Sequence, residues 1–434
     1  MRPRRIYVPL CGSSWTFFAF VLAAEFIPSA ALAENWPRFR GPGGMGQSAE
    51  RDLPTTWNIA TGENIAWHIP LRPTVAEGKP DFNQSSPIVW GDRVIVTTAH
   101  WSNDGSQKQV PEQHVTCYAA ADGRELWDTV VPAGPWTLSD LRGGYAAPTP
   151  ATDGERVYAA FGSATLAALD LHGKLLWQKP IEHHASIDVA FASSPVAFEN
   201  RVILLADKNN KHATLTAYDG RTGEVVWKQA RPNVAFNHST PTFATVDGQP
   251  RMFVAASNVL QAIDPKNGEP IWSFDTPGDV TSPIYRDGRV YSDSGRGGPG
   301  VCVDATAKGD VAEPRLNWRI GNIPEGLASP VVADGLLFRT HNPGVLEVTR
   351  WSDGKMMYSA RLAGVSMQAS PIATADGLVF FASGGRSVVV RPGEKLDIVA
   401  ESDLDDPSAA SPAVSNGRIY IKGSRRLYCI GKKM

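Results

Sequence analysis

The sequence predicts an all-β fold: an eight-bladed β-propeller of four-stranded antiparallel blades, with the ring closed by a strand from near the N-terminus. Three regularities in the 434 residues predict it. A small-residue pair followed by proline recurs at Ser85-Ser86-Pro87, Ala146-Ala147-Pro148, Ser193-Ser194-Pro195, Ser239-Thr240-Pro241, Thr281-Ser282-Pro283, Ala328-Ser329-Pro330, Ala369-Ser370-Pro371 and Ala410-Ser411-Pro412. A turn pair follows each: Gly91-Asp92, Asp153-Gly154, Glu199-Asn200, Asp247-Gly248, Asp287-Gly288, Asp334-Gly335, Asp376-Gly377 and Asn416-Gly417. Asp-Gly and Asn-Gly supply the positive φ that a two-residue hairpin needs, so the strands on either side pair antiparallel. Finally, Gly123, Gly173, Gly223 and Gly268 each precede a tryptophan by four residues. Repeats of this length signal blades or solenoid units.

The clearest unit is Ser193–Gln229. Pro195 stands at a strand start, where a missing N–H does least harm. Val202–Ala206 is an apolar run of the buried type, Thr214–Tyr218 alternates, Asp219–Gly223 turns, and Glu224–Lys228 carries Trp227. Trp127, Trp177, Trp227 and Trp272 hold the outer position in the first four units, and Trp318 holds it in the fifth. Tyr358 replaces it in the sixth, and Ile398 or Val399 in the seventh. One indole per unit is expected to pack each blade on its neighbour, so Trp227→Ala should cost about 3–5 kcal/mol. The eighth unit ends at Cys429-Ile430 without such a strand. The lone strand with Trp67, within 57–71, is expected to supply it and close the ring.

The chain divides into a predicted export signal over 1–33, an arm over 34–56 and the propeller over 57–434. Arg2, Arg4 and Arg5 precede a mostly apolar run, and Ala31-Leu32-Ala33 forms a cleavage pattern before Glu34. A periplasmic or extracellular location is therefore expected. The arm, rich in Gly, Pro and Arg, is expected to cross the body, anchored by Trp36 and Phe39. A formal net charge of −2 gives no reason to expect general nucleic-acid binding.

The string Ala217-x-Asp219-x-x-Thr222-Gly223-x-x-x-Trp227 resembles the tryptophan-docking repeat of the quinoprotein (pyrroloquinoline quinone, PQQ) dehydrogenase-like propellers. Ala262-x-Asp264 to Gly268 and Trp272 is similar, and Ala168-x-Asp170 to Gly173 and Trp177 is one residue shorter. The resemblance covers about 57–434. It implies the propeller, together with two sorts of function found on it. One is PQQ- and calcium-dependent alcohol or sugar oxidation, with an adjacent Cys-Cys disulfide over the quinone and a Glu, Asn and Asp set on the metal. The other is the non-enzymatic role of the periplasmic lipoprotein that helps to assemble outer-membrane barrels.

The residues favour the second sort, an exported non-catalytic binding or scaffold protein with an envelope protein as partner, monomeric itself. A dehydrogenase with a reduced site and a small-molecule or polysaccharide binder are the alternatives. The sequence contains no Cys-Cys pair and no C-x-x-C-H haem attachment. Cys117, Cys302 and Cys429 fall where other repeats place Ala168, Ala217 and Ala262, which predicts three small buried free thiols. No catalytic, cofactor-binding or metal-ligating residue is assigned, and His183-His184 are expected to point apart. Gly295–Gly300 is expected to be a wide inter-strand loop, Lys422, Arg425, Arg426, Lys432 and Lys433 a solvated edge, and 101–113 a contact loop. A ligand site, if present, is expected where the loops into the first strands gather. There the sequence offers Asn83, Gln84, Arg142, Tyr145, Phe191, Asn237, His238 and Gln368.

Overall fold

The computed structural model describes residues 34–72, 75–76, 79–80, 84–101, 110–138, 143–182, 192–207, 213–231, 237–256, 258–276, 278–310, 316–365 and 368–433. The expected signal and His183-His184 lie outside them. Eight four-stranded sheets follow one another round a ring. The first blade is built from Ile88–Trp90, Arg93–His100, Glu112–Ala119 and Glu125–Val131. The last combines Ala413–Ser415, Arg418–Lys422 and Arg426–Ile430 with Ile65–Pro70 from the N-terminal side. Every pairing within the blades is antiparallel. The fourth blade carries a fifth strand, Gly309–Asp310, set parallel against Trp272 and Ser273.

The inner rim is held by one device used eight times. A backbone N–H at the start of each first strand donates to a hydroxyl in the next blade. The donors Ser86, Thr149, Ser194 and Thr240 bind Thr149, Ser194, Thr240 and Ser282 in turn. Then Ser282, Ser329, Ser370 and Ser411 bind Ser329, Ser370, Ser411 and, closing the circle, Ser86. All eight bonds are between 2.9 and 3.1 Å long. The belt corrects one register: the second unit enters on Thr149-Pro150, two residues beyond the expected Ala147-Pro148.

The outer rim is held by indoles. The Nε1–H of Trp67, Trp127 and Trp177 donates to the carbonyls of Ala120, Leu171 and Gly220 in the next blade, each at 2.9 Å. Trp227, Trp272 and Trp318 reach Pro265, Ala305 and Trp351 in the same way. Within its own blade each tryptophan faces a small residue across the strand pair: Cys429, Cys117, Ala168, Ala217, Ala262 and Cys302. A bulge follows at that point in every blade and gives the outer strand extra twist. The glycine four residues before one tryptophan serves the preceding one. Gly223, at φ 70°, lies under the Trp177 ring, where an added Cβ would come within 2.8 Å.

Gly295–Gly300 departs from the expected loop. Arg296–Asp304 is one strand paired with Leu316–Glu325, so the segment lengthens a hairpin of the fifth blade. Pairing continues through the glycines because a register shift between Pro299 and Gly300 absorbs the proline.

Candidate functional site

A propeller offers two mouths to its axial channel, and here they differ. The first, on the side of the Asp-Gly turns, is ringed by the arm, which visits the blades in order. The Glu34 carbonyl accepts from Ser415 Oγ in the eighth blade. Trp36 and Val89 of the first blade exchange backbone bonds of 2.8 and 2.9 Å. The Pro37 carbonyl then accepts from Thr152 N, and Arg38 Nη2 donates to Ala197 O, in the second and third blades. Gly43 lies against the Phe243 carbonyl, Met45 Sδ accepts from Tyr285 N, and Gln47 Nε2 donates to Val332 O. Ser48 N bonds Ala373 O, and the Glu50 carboxylate accepts from Asn416 N and Gly417 N, back at the eighth blade. The circuit fastens to itself where Glu34 Oε2 accepts from Ser48 Oγ and Ala49 N.

The arm's anchors are Trp36, 1% exposed, and Arg40, also 1% exposed; Phe39 is only half-buried. The Trp36 ring lies so close to Gly41, at φ 71°, that a Cβ there would sit 2.5 Å from it. Arg40 donates to the carbonyls of Met45 and Pro330. Burial lowers the Arg38 and Arg40 guanidinium pKa values to about 10 and about 9, which leaves both charged at neutral pH. Arg38 also lies over the Phe243 ring, 5.0 Å from its centroid.

The second mouth lies where the loops lead into the first strands. Of the eight residues expected there, Asn83, Arg142 and Phe191 fall outside the described residues. Gln84 and His238 are half-buried and Gln368 is exposed. Tyr145 and Asn237 are turned into the protein. Tyr145, 1% exposed, accepts from Leu138 N at its hydroxyl and meets Trp101 edge-on at 6.2 Å. Asn237 donates to Ala255 O at 2.7 Å and accepts from Ser239 N at 2.8 Å.

Buried charges near this mouth are paired within and between the blades. Asp207 accepts from Arg231 Nε at 3.1 and 3.2 Å, and burial raises its pKa against the pull of that guanidinium. Asp293 accepts from Arg339 Nε and from the Tyr291 hydroxyl. Asp406 accepts from Ser424 Oγ, the Tyr428 hydroxyl and the backbone N–H groups of 424–426. Lys422 corrects the solvated-edge expectation: it is 2% exposed, with Nζ 2.6 Å from Ser85 Oγ across the closing seam. Its burial follows from its place at the end of a second strand, next to the belt. Cys117, Cys302 and Cys429 are buried and free, and desolvation raises all three thiol pKa values, those of Cys117 and Cys429 to about 12.

Outside the mouths, a cleft of about 330 Å³ opens between the outer halves of the third and fourth blades. Gln229, Arg231, Asn258, Gln261 and Asp275 give it polar walls, and Leu215, Val259 and Ile263 an apolar floor. The outer strand beside it, Val225–Ala230, exposes Val225 and Val226 at its start. The sequence reading missed this cleft, because its walls come from two repeats and none of its residues breaks the repeat pattern.

Comparison with known proteins agrees with this geometry. No curated protein matches the sequence. Among solved structures, BamB from Moraxella catarrhalis aligns at 15% identity and a TM-score of 0.56, over 83% of this chain and 97% of that one. A europium-containing methanol dehydrogenase aligns at 12% and 0.66, over 89% of each chain. The quinohemoprotein alcohol dehydrogenase from Comamonas testosteroni aligns at 15% and 0.64, over 91% of this chain and 80% of that one. At these identities the likeness is one of fold. In sequence, residues 47–210, 111–356 and 211–430 match one family model, and the chain belongs to the family it describes, outer membrane protein assembly factor BamB.

Proposed function

We propose that the protein is a non-catalytic binding scaffold of the cell envelope, which holds an extended segment of an envelope protein at the outer side of its blades. The observation that carries this reading is that the described, buried polar side chains near the second mouth are committed to hydrogen bonds and ion pairs within the protein. Among the described residues there, Asp207 and Asn237 lie together, with the Asn237 amide nitrogen 3.5 Å from Asp207 Oδ2. The Arg231 guanidinium occupies that carboxylate at 3.1 and 3.2 Å, and Asn237 is bonded to Ala255 and Ser239. The described cysteines lie singly in the first, fifth and eighth blades. These residues do not fit a calcium–quinone pair.

The outer edges speak for strand addition. Gly309–Asp310 already pairs in parallel with the outer strand of the fourth blade, so such an edge accepts an added strand. The neighbouring edge at Val225–Ala230 has exposed valines and the polar cleft beside it. No helix among the described residues is long and apolar enough to cross a membrane. The family match and the predicted signal support placement in the envelope.

Two measurements test the reading. A thermal melt of the purified protein with PQQ and Ca²⁺ is expected to show no shift. A cofactor at 100 times its Kd would add about 2.7 kcal/mol, and such a rise with dye-linked alcohol oxidation would establish a dehydrogenase instead. A photo-crosslinker at Val226 is expected to capture envelope proteins that the same probe at Gly248, on the turn side, does not. Equal capture at both positions would remove the outer-edge assignment.

A further inference from the structure

The first blade carries a cluster that neither the fold nor the proposed scaffold role requires. His100 ends the second strand and Glu112 opens the third, directly paired with it; His114 follows two residues on, opposite Thr98. Directly paired residues, and residues two apart on a strand, share a face, so all three side chains project from one face of the sheet. That face looks toward the eighth blade, because Val94, Val96 and Tyr118 on it belong to the apolar cluster built around Tyr420, Leu427 and Tyr428. One ligand-capable atom from each of the three lies within 4.8 Å of the others.

The spacing separates a metal site from a hydrogen-bonded cluster. Glu112 Oε2 is 3.6 Å from His100 Nε2 and 3.6 Å from His114 Nε2. Both distances are too long for hydrogen bonds. Tetrahedral zinc with bonds of about 2.0–2.1 Å sets its ligand atoms about 3.3–3.4 Å apart. Both Glu112 distances lie within a few tenths of an ångström of that spacing, and the two imidazole ligand atoms lie within 4.8 Å of each other.

The surroundings of His114 give a second, independent indication. Its side chain is 1% exposed, and its Nε2, directed at Glu112, has no hydrogen-bond partner. Its Nδ1 lies 2.8 Å from Asp128 Oδ2. A carboxylate only accepts, so Nδ1 carries a proton, and in the neutral ring Nε2 presents its lone pair. Arg72 Nη1 is 3.3 Å from the same Nδ1, but a guanidinium only donates, and Arg72 bonds Asp128 Oδ2 at 2.9 Å through Nη2. Thr116 Oγ1 fixes the other carboxylate oxygen at 2.6 Å. A carboxylate that orients the far nitrogen of a ligand histidine is the usual support of a zinc-bound imidazole.

We propose that His100, Glu112 and His114 bind one divalent transition-metal ion of the zinc class, with Asp128 orienting His114. Two imidazoles and one carboxylate favour such an ion over calcium or magnesium. Three protein ligands leave a fourth position, on the side where Glu112 is about one-third exposed, for water or a partner's side chain. His100 and Glu112 are directly paired neighbours on adjacent strands of the first blade, so the ion would join those strands beside the ring's closing seam.

The test uses chelator-treated full-length protein titrated with Zn²⁺, and with Co²⁺ as a spectroscopic stand-in. The expected result is one ion per chain, a rise in Tm and the intense visible bands of tetrahedral Co²⁺. Glu112→Gln and His100→Ala, at partly exposed positions, should each weaken binding about a hundredfold while the metal-free Tm stays unchanged. His183→Ala with His184→Ala should leave binding intact. Failure to bind, octahedral Co²⁺ bands, wild-type affinity in Glu112→Gln and His100→Ala, or loss confined to the 183/184 double variant would each overturn the assignment.

Discussion

The inner and outer rims of the ring solve the same problem, joining one blade to the next, by opposite chemistry. At the inner rim all eight junctions use a hydroxyl and a backbone N–H, within 0.2 Å of the same length. At the outer rim six junctions use tryptophan, the sixth-to-seventh meets Tyr358, and the seventh-to-eighth has Val399 and Ala400 at that point. The buried Trp57 and Leu53 of the N-terminal segment belong to the apolar cluster at this last junction, and Trp57 N bonds Ser402 Oγ. The difference follows from radius. Near the axis the strands are drawn together, and the gap admits one small side chain. Farther out the blades diverge, and the wedge accepts any group of sufficient volume. A narrow gap forces uniformity, whereas a wide one tolerates substitution.

The largest effects should therefore be found at the outer rim, and they should be unequal. Trp272 is 1% exposed, bonds Ala305 O at 3.1 Å and packs against Phe253, with centroids 6.2 Å apart. Trp272→Ala is expected to cost about 3–5 kcal/mol. Trp227 is only half-buried and bonds Pro265 O at 3.3 Å. Trp227→Ala should cost roughly 2 kcal/mol, below the figure its sequence position suggests, because less apolar area leaves water there. Urea midpoints at unchanged m-value give both numbers. Equal losses would mean that the wedge is filled alike at every junction.

At the inner rim, single hydroxyl deletions should be smaller and equal. Ser282→Ala leaves Thr240 N without its acceptor, and Ser411→Ala does the same to Ser370 N. Each is expected to cost about 1–3 kcal/mol, the penalty of a buried unsatisfied donor. The first belongs to a junction with an indole and the second to one without. If Ser411→Ala costs clearly more than Ser282→Ala, the belt draws strength from the outer rim and the two are coupled.

The fold was legible because its signals are local. The turn pairs and the small-residue–proline starts lie within a few residues of each other, and hydroxyls suited to the belt were visible at most of the starts. The second unit misled because Ala146-Ala147-Pro148 imitates the start two residues before Thr149-Pro150. What depends on three dimensions was not legible. Tyr145 and Asn237 carry the polar groups expected of a pocket wall, yet burial directs them at backbone partners. Lys422 has the composition of a surface residue and the position of a core one. The His100, Glu112 and His114 set becomes visible only when the strand register places His100 against Glu112.

The smallest expected effect separates the rims by acid. The belt contains no titratable group, whereas the outer turns do. Asp219 Oδ1 accepts from Arg221 N at 3.0 Å, Thr222 N at 2.8 Å and Thr222 Oγ1 at 3.1 Å, which holds the turn that presents Gly223 to Trp177. The Thr222 backbone N–H, more than any other neighbour, keeps this carboxyl below its ordinary pKa. A carboxyl depressed in the folded state stabilises it fully above the unfolded pKa, and that contribution fades as pH falls through the folded value. Hydrogen-exchange protection of Thr222 and Gly223 should therefore decline as pH falls below the ordinary Asp value of about 4, while that of Ser194 and Thr240 in the belt holds. Asp219→Asn should abolish the decline, since the amide oxygen still accepts but does not titrate. Loss of protection at the belt before the turns would show that acid opens the ring from the axis, against the division of labour between the two rims.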